Sequence, residues 1–137
     1  MLVSTKEIFK NCYGKYGVAA VNVWDMEMIL GLFSAAQKAN APFIIQTTPV
    51  ARNYATPEML TSMISAASKI YPKTVFAIHL DHGNKEHAFQ SIDSGAYTSV
   101  MIDASHETFQ DNISITKEVV KKAHIKNTHN LRKLRSL

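Results

Sequence analysis

The sequence predicts an α/β protein, and three observations carry that expectation. Short apolar runs alternate with amphipathic helical stretches four times in succession. Each run is linked to the next by a helix rather than a tight turn, as parallel strands with right-handed crossovers require. Polar residues suited to chemistry (Asn22, Thr47, Asp81 with His82, and Asp103) fall where the runs end. Two architectures use this order: an open doubly wound sheet and a (β/α)₈ barrel. The first strand-to-helix turn has no glycine-rich phosphate loop, which counts against a nucleotide-binding doubly wound fold. Polar residues at C-terminal strand ends suit a barrel, whose active sites sit there. Four units make half of one.

The elements follow in order. Ser4-Thr-Lys-Glu7 is a capping box and opens a short helix that ends near Asn11 to Gly14. Residues 18–23 form a first strand, apolar except for Asn22. Asp25 caps a helix from Met26 to about Lys38, with Ile29, Leu32, Phe33 and Ala36 at three- and four-residue steps. Pro42 breaks the chain before a second strand at 43–47. A polar connection over 48–55 follows, longer than the usual strand-to-helix link. Thr56-Pro57-Glu58 supplies an N-cap, a proline at N1 and a first-turn acid, so a helix runs to about Ile70.

Residues 75–80 form a third strand, which ends abruptly in Asp81, His82 and Gly83. A helix over 85–94 closes at Gly95. Residues 97–102 make a fourth strand, also ending in polar residues: Asp103, Ser105, His106 and Glu107. A last helix runs from about Gln110 to His124. Strands 1 to 4 are expected to pair in sequence order, with the helices outside and unpaired edges at the first and fourth strands.

Composition narrows the class. In 137 residues, 46% are hydrophobic, enough for one domain with a real core. No apolar run approaches the roughly 20 residues that span a bilayer. The start lacks a signal-peptide layout, and the single Cys12 excludes an internal disulfide or a multi-cysteine metal site. These features lead us to expect a cytoplasmic protein without membrane contact. Residues 1–124 carry 11 basic and 11 acidic residues, so Lys126, Arg132, Lys133 and Arg135 supply the whole net charge of +4. Four dispersed charges with no binding fold behind them do not make a nucleic-acid site.

The stretch from Val75 to Gly83 organises the rest. A strand that delivers an acid and an imidazole at its C-terminal end, just before a helix, is where α/β proteins place chemistry. The plainer reading of an isolated Asp-His pair is a helix cap beside an idle surface histidine. His79 falls on the opposite face from the sequence neighbours of Asp81 and reads as a packed, hydrogen-bonded residue. His87, on the following helix, and the loop His106 read as surface residues, and the six methionines as core filler.

These residues carry a family resemblance. Ala77-Ile-His-Leu-Asp-His-Gly83 and Ser99-Val-Met-Ile-Asp-Ala-Ser-His106 are the most specific pieces. Val3-Ser-Thr-Lys6, Ala20-Val-Asn-Val23, Ala41-Pro-Phe-Ile-Ile45, Asn112-Ile and Thr116-Lys-Glu-Val-Val120 match in the same order. Over about residues 2–124 the chain resembles the N-terminal half of the class II, zinc-dependent ketose-bisphosphate aldolases, of the fructose- and tagatose-bisphosphate type.

The resemblance implies a TIM-type (β/α)₈ barrel, here half of one, and a soluble homo-oligomeric enzyme, a dimer or tetramer, of carbohydrate metabolism. It matches Asp81 to the catalytic carboxylate that exchanges a proton with the substrate and His82 to the first Zn²⁺ ligand. Asn22 and Thr48 match positions on the substrate side. Asp103 matches a carboxylate near an auxiliary or moving metal, although capping the next segment is an equal reading of it. The implied reaction is reversible cleavage of a ketose 1,6-bisphosphate into glycerone phosphate and glyceraldehyde 3-phosphate.

The last 13 residues depart from the family. Residues 125–137 have no glycine and no evident strand pattern, and they resemble the product of a frameshift or an early gene end. The two further zinc histidines and the phosphate-binding loops of the family have no counterpart here, and nothing around His129 supports it as a substitute. The expectation is therefore a chain inactive alone. The alternative is a non-catalytic aldolase fragment or pseudoenzyme acting through a partner chain.

Overall fold

A computed structural model describes residues 1–126 and 128–133. The elements are α1 (Thr5–Cys12), β1 (Ala19–Asn22), α2 (Met26–Ala39), β2 (Phe43–Thr47), α3 (Pro49–Ala55), α4 (Pro57–Ile70), β3 (Phe76–Gly83), α5 (Lys85–Ser94), β4 (Ser99–Asp103), α6 (Phe109–Ile125) and β5 (His129–Lys133). The strands form one parallel sheet in the order β1-β2-β3-β4-β5. Every new strand joins the same edge. A doubly wound sheet reverses its direction of growth at a switch point, whereas a barrel never does. The sequential order is that of a barrel segment.

The local signals act as the residues suggest. Ser4 and Glu7 form the reciprocal capping box of α1. The Asp25 carboxylate accepts from the Met28 amide at 2.8 Å, and Thr56 and Asn84 cap α4 and α5 in the same manner. Gly95 takes the left-handed conformation (φ 68°) that ends α5.

The two faces of the sheet are packed differently. On the helix side, Phe43, Ile45, Phe76, Ile78, Leu80, Val100 and Ile102 meet residues of α2, α4, α5 and α6, including Phe33, Ile64, Ile92 and Val119. Phe33 stands edge-on to Phe43 and Phe76, with centroids at 5.1 and 4.9 Å. Such aromatic pairs add about 0.5–1.5 kcal/mol each beyond area burial. On the opposite, inner face, α1 covers only the lower end, where Ile8 and Cys12 pack on Ile44 and Ala77. Among the described residues, no helix is long and apolar enough to cross a membrane.

Four expectations need correction. The connection over 48–55 is the helix α3, which Thr48 caps and Pro49 opens. Helix α1 lies against the inner face rather than outside with the others. The third strand continues through the polar residues to Gly83, because an irregularity keeps it paired to β4. The final segment contains a strand after all: β5 pairs in parallel with β4 from Ser99↔His129 to Asp103↔Lys133. The edge of the sheet is therefore β5, not the fourth strand. Asn127 and residues 134–137, the remainder of the expected basic tail, lie outside the described residues, as does the side chain of His129.

Candidate active site at the strand ends

In a regular strand, consecutive side chains point to opposite faces. Asp81 shares the inner face with His79 and Ala77, so His82 should turn toward the helices beside Leu80. The irregularity of β3 prevents this. Between the pairs Leu80↔Val100 and Gly83↔Ile102, β3 spends one more residue than β4. The extra residue is a bulge, which re-aims side chains at the end of a strand. His82 takes φ 55°, a left-handed conformation uncommon outside glycine. Gly83 then returns the chain against the helix side, where an added Cβ would run into the Leu80 side chain, its Cγ at 2.9 Å.

The bulge brings three groups together. His82 Nδ1 lies 2.6 Å from Asp103 Oδ2 at the end of β4, and His82 Nε2 lies 3.7 Å from Asp81 Oδ1. Both carboxylates are sheltered, with side chains 16% and 13% exposed, while the imidazole is 46% exposed. Asp103 is itself fixed: its Oδ1 accepts from the Ser105 amide at 3.1 Å and the Ser105 hydroxyl at 2.6 Å. A carboxylate against Nδ1 makes that nitrogen the proton-bearing one and leaves the Nε2 lone pair available. From β1, the Asn22 side-chain amide donates to Asp81 Oδ2 over a long 3.4 Å. Its Oδ1 is buried without a partner.

The other candidate positions fall out as follows. Thr48 sits at the end of β2, where its hydroxyl accepts from the Ala51 amide at 3.2 Å and caps α3. His79 is 3% exposed, with Nδ1 2.8 Å from the Ser99 hydroxyl, as expected of a packed residue. His106 is exposed. His87 is half-buried rather than a surface residue, and its Nδ1 is enclosed with no partner. Burial first, and the Arg52 charge second, hold its imidazole below the ordinary histidine pKa. Sequence reasoning noted Ser105 only as a polar residue after the strand and missed its contact with Asp103, although an Asp followed two residues later by Ser is a signal for a local side-chain turn.

A zinc ion would need more donors than this cluster offers. An imidazole nitrogen oriented by a carboxylate is a good zinc donor, but catalytic sites use about three protein ligands. Among the described residues no group of three or more His, Cys, Asp or Glu is placed to hold a metal. The residues present do not make a zinc site by themselves.

Comparison with known proteins follows the same line. The sequence pattern of the family described as "Fructose-bisphosphate aldolase class-II" matches residues 3–129, nearly the whole chain. The chain belongs to the class II fructose-bisphosphate aldolase family. A fructose-bisphosphate aldolase of Helicobacter pylori (strain ATCC 700392 / 26695) is 38% identical over 125 residues, covering 90% of this chain and 41% of the relative. One from Giardia intestinalis is 44% identical over 111 residues, 80% of this chain and 34% of the relative. The YdjI aldolase of Escherichia coli K12 superposes with a TM-score of 0.87 at 29% identity, over 98% of this chain and 52% of that one. The chain thus spans about a third to two fifths of the length of the relatives it matches in sequence. This aldolase-family chain has the strand order of the barrel and covers about half of such a neighbour.

Proposed function

We propose that this chain carries the proton-transfer part of a zinc-dependent class II aldolase centre. The reaction is reversible aldol cleavage of a ketose 1,6-bisphosphate, fructose or tagatose, to glycerone phosphate and glyceraldehyde 3-phosphate, as in glycolysis. The observation that supports it most is the bulge at Asp81-His82, which lets consecutive residues serve one face.

Retro-aldol cleavage needs a base for the hydroxyl on the carbon whose bond breaks. Asp81 has that role: it is a sheltered carboxylate at the strand end, steadied by the Asn22 amide. In the reverse direction it returns the proton to the aldehyde oxygen. The unpartnered Asn22 Oδ1 accepts a hydrogen bond from a substrate hydroxyl. Thr48 lines the same end of the sheet. Zinc is the cofactor of this reading, His82 is the one ligand this chain supplies, and Asp103 sets the ring's tautomer rather than binding an auxiliary metal.

The same geometry favours the second reading, a non-catalytic fragment or pseudoenzyme acting through a partner chain, because one imidazole is too few. Calorimetry with Zn²⁺ and a coupled triose-phosphate assay on each bisphosphate test both. Weak zinc binding lost in His82→Ala, with no turnover, is the expected result for these 137 residues alone. Turnover abolished by a chelator and by Asp81→Asn would show that another copy completes the site, as in the homo-oligomers typical of the family. Zinc binding indifferent to His82→Ala would sink the ligand assignment.

A further inference from the structure

The helix side of the sheet holds a charged group that the candidate site does not use. Arg52, on α3, is 4% exposed. Its Nη1 donates to the Ser91 hydroxyl at 3.1 Å and the Tyr97 hydroxyl at 3.0 Å, and its Nη2 to Gln90 Oε1 at 3.2 Å. The guanidinium also lies 5.5 Å from the centre of the Tyr97 ring. Each of these acceptors is neutral. Among the described residues no carboxylate forms an ion pair with Arg52.

A guanidinium has five N–H donors and stays charged at any accessible pH. With three donors used, the Nε–H and one Nη2–H remain, and Nε is buried with no partner. A buried cation without a counter-charge is strongly unfavourable. Two unused donors on such a group are the pattern that a carboxylate satisfies with both oxygens.

Space for that carboxylate adjoins the group. Helix α4 packs on α2 and α5 on α6, and between α4 and α5 lies a cleft of about 560 Å³ lined by Arg52, Glu58, Thr61, Gln90, Asp93 and Tyr97. Lys122 neutralises Asp93 at 2.7 Å, whereas no ion pair is formed by Glu58 among the described residues. One residual negative charge on the wall favours a singly charged ligand over a doubly charged phosphate. Gln90, exposed and tied to Glu86 by its amide nitrogen at 3.3 Å, lines the cleft and accepts from the guanidinium, so it stands beside a ligand at this place.

We propose that the cleft between α4 and α5 is a binding site for a small monocarboxylate, paired with the free edge of the Arg52 guanidinium. The site is on the opposite face of the sheet from Asp81 and stands independently of the aldolase reading. Tyr97 connects it to β2, because its hydroxyl also lies 2.8 Å from the Thr47 hydroxyl.

Titrating the ¹⁵N-labelled chain with sodium acetate, while following the Arg52 Nε–H resonance, tests this. Sodium chloride at matched ionic strength and inorganic phosphate serve as the comparison arms. Acetate should shift that resonance saturably and chloride should not. Glu58→Gln should tighten acetate binding several-fold and strengthen phosphate binding, and in Arg52→Gln the shifts that either anion causes at the Gln90 and Tyr97 backbone amides of the wild type should be absent. Should Arg52→Gln fail to fold, the wild-type and Glu58→Gln titrations decide alone. A resonance unmoved by acetate, or moved equally by chloride, would show that Arg52 is only a structural brace.

Discussion

The two faces of this sheet solve opposite problems with adjacent residues. On the helix side, Ile78 and Leu80 alternate with inner-face residues and lie 5% and 0% exposed among other apolar side chains. On the inner face, His79 and Asp81 point the other way into hydroxyls, amides and another imidazole. The first face is held by non-directional burial, which tolerates repacking but not loss of volume. The second is held by a few directed hydrogen bonds and leaves Asn22 Oδ1 unsatisfied, as the helix side leaves Arg52 Nε and His87 Nδ1 at its margin. Apolar burial lies mainly on one side and the candidate site on the other, so substitutions should separate the two.

The largest separation should come from Phe33, which is fully buried between two aromatic rings. Phe33→Ala removes those contacts and leaves a cavity, costing about 3–5 kcal/mol in urea unfolding. Asp81→Asn should change unfolding by less than about 1 kcal/mol, since its side chain gives up only a long hydrogen bond and a 3.7 Å contact with the half-exposed His82 ring. Comparable losses for the two would erase the distinction between the faces.

Gly83 is the one position that belongs to both. It ends the bulge that aims His82, and an added Cβ meets Leu80, the most enclosed helix-side residue of β3. Gly83→Ala should therefore cost about 1–3 kcal/mol through overpacking. It should also disturb the His82–Asp103 contact, read as a change in the His82 imidazole NMR signals. A stability loss with those signals unmoved would mean that the bulge tolerates the strain.

How much the sequence revealed follows the same division. The helix side was legible because periodicity reports burial directly: Ile29, Phe33 and Ala36 recur at helical steps, and all three are buried. The caps were legible because Ser4, Asp25 and Thr56 each stand before a helical pattern. The inner end was legible in which residues it uses, but not in how. Strict alternation would place Asp81 and His82 on opposite faces, and nothing in the residues states that β3 carries one extra residue there. Strand β5 was missed because its residues, His129-Asn-Leu-Arg-Lys133, lack apolar alternation, and pairing with β4 overrides that weak propensity. Helix α3 was missed because Thr48-Pro49 is as good a turn signal as a helix start.

A smaller effect is expected at Thr56. It joins α3 to α4 with φ 55° and ψ 148°, a region where a β-branched residue is strained. Its hydroxyl repays part of that by capping the Met59 amide at 3.3 Å. Thr56→Gly relieves the strain and gives up only a few tenths of a kcal/mol in capping. A net gain of about 0.5–1 kcal/mol in thermal or urea unfolding is expected. A loss instead would mean that the cap outweighs the backbone strain.

The smallest effect is a pH dependence on the helix side, from His87. Its pKa lies below the ordinary histidine value because burial disfavours the charged ring and the Arg52 charge repels it, with Glu86 opposing weakly. The unfolded chain, with its histidine at about 6.5, therefore binds a proton more readily than the folded one. This contribution to stability is fully present above the unfolded pKa. It falls away as pH drops through that value toward the lower folded pKa, where charging the ring would place a second cation near Arg52. Unfolding midpoints measured from pH 7.5 down to about 5 should decline, and His87→Gln should flatten part of the decline. Asp81→Asn supplies the contrast from the other face, since it leaves both the histidine and its burial in place. A decline identical in wild type and His87→Gln would assign the acid sensitivity to other groups, and would leave the enclosed Nδ1 without energetic consequence.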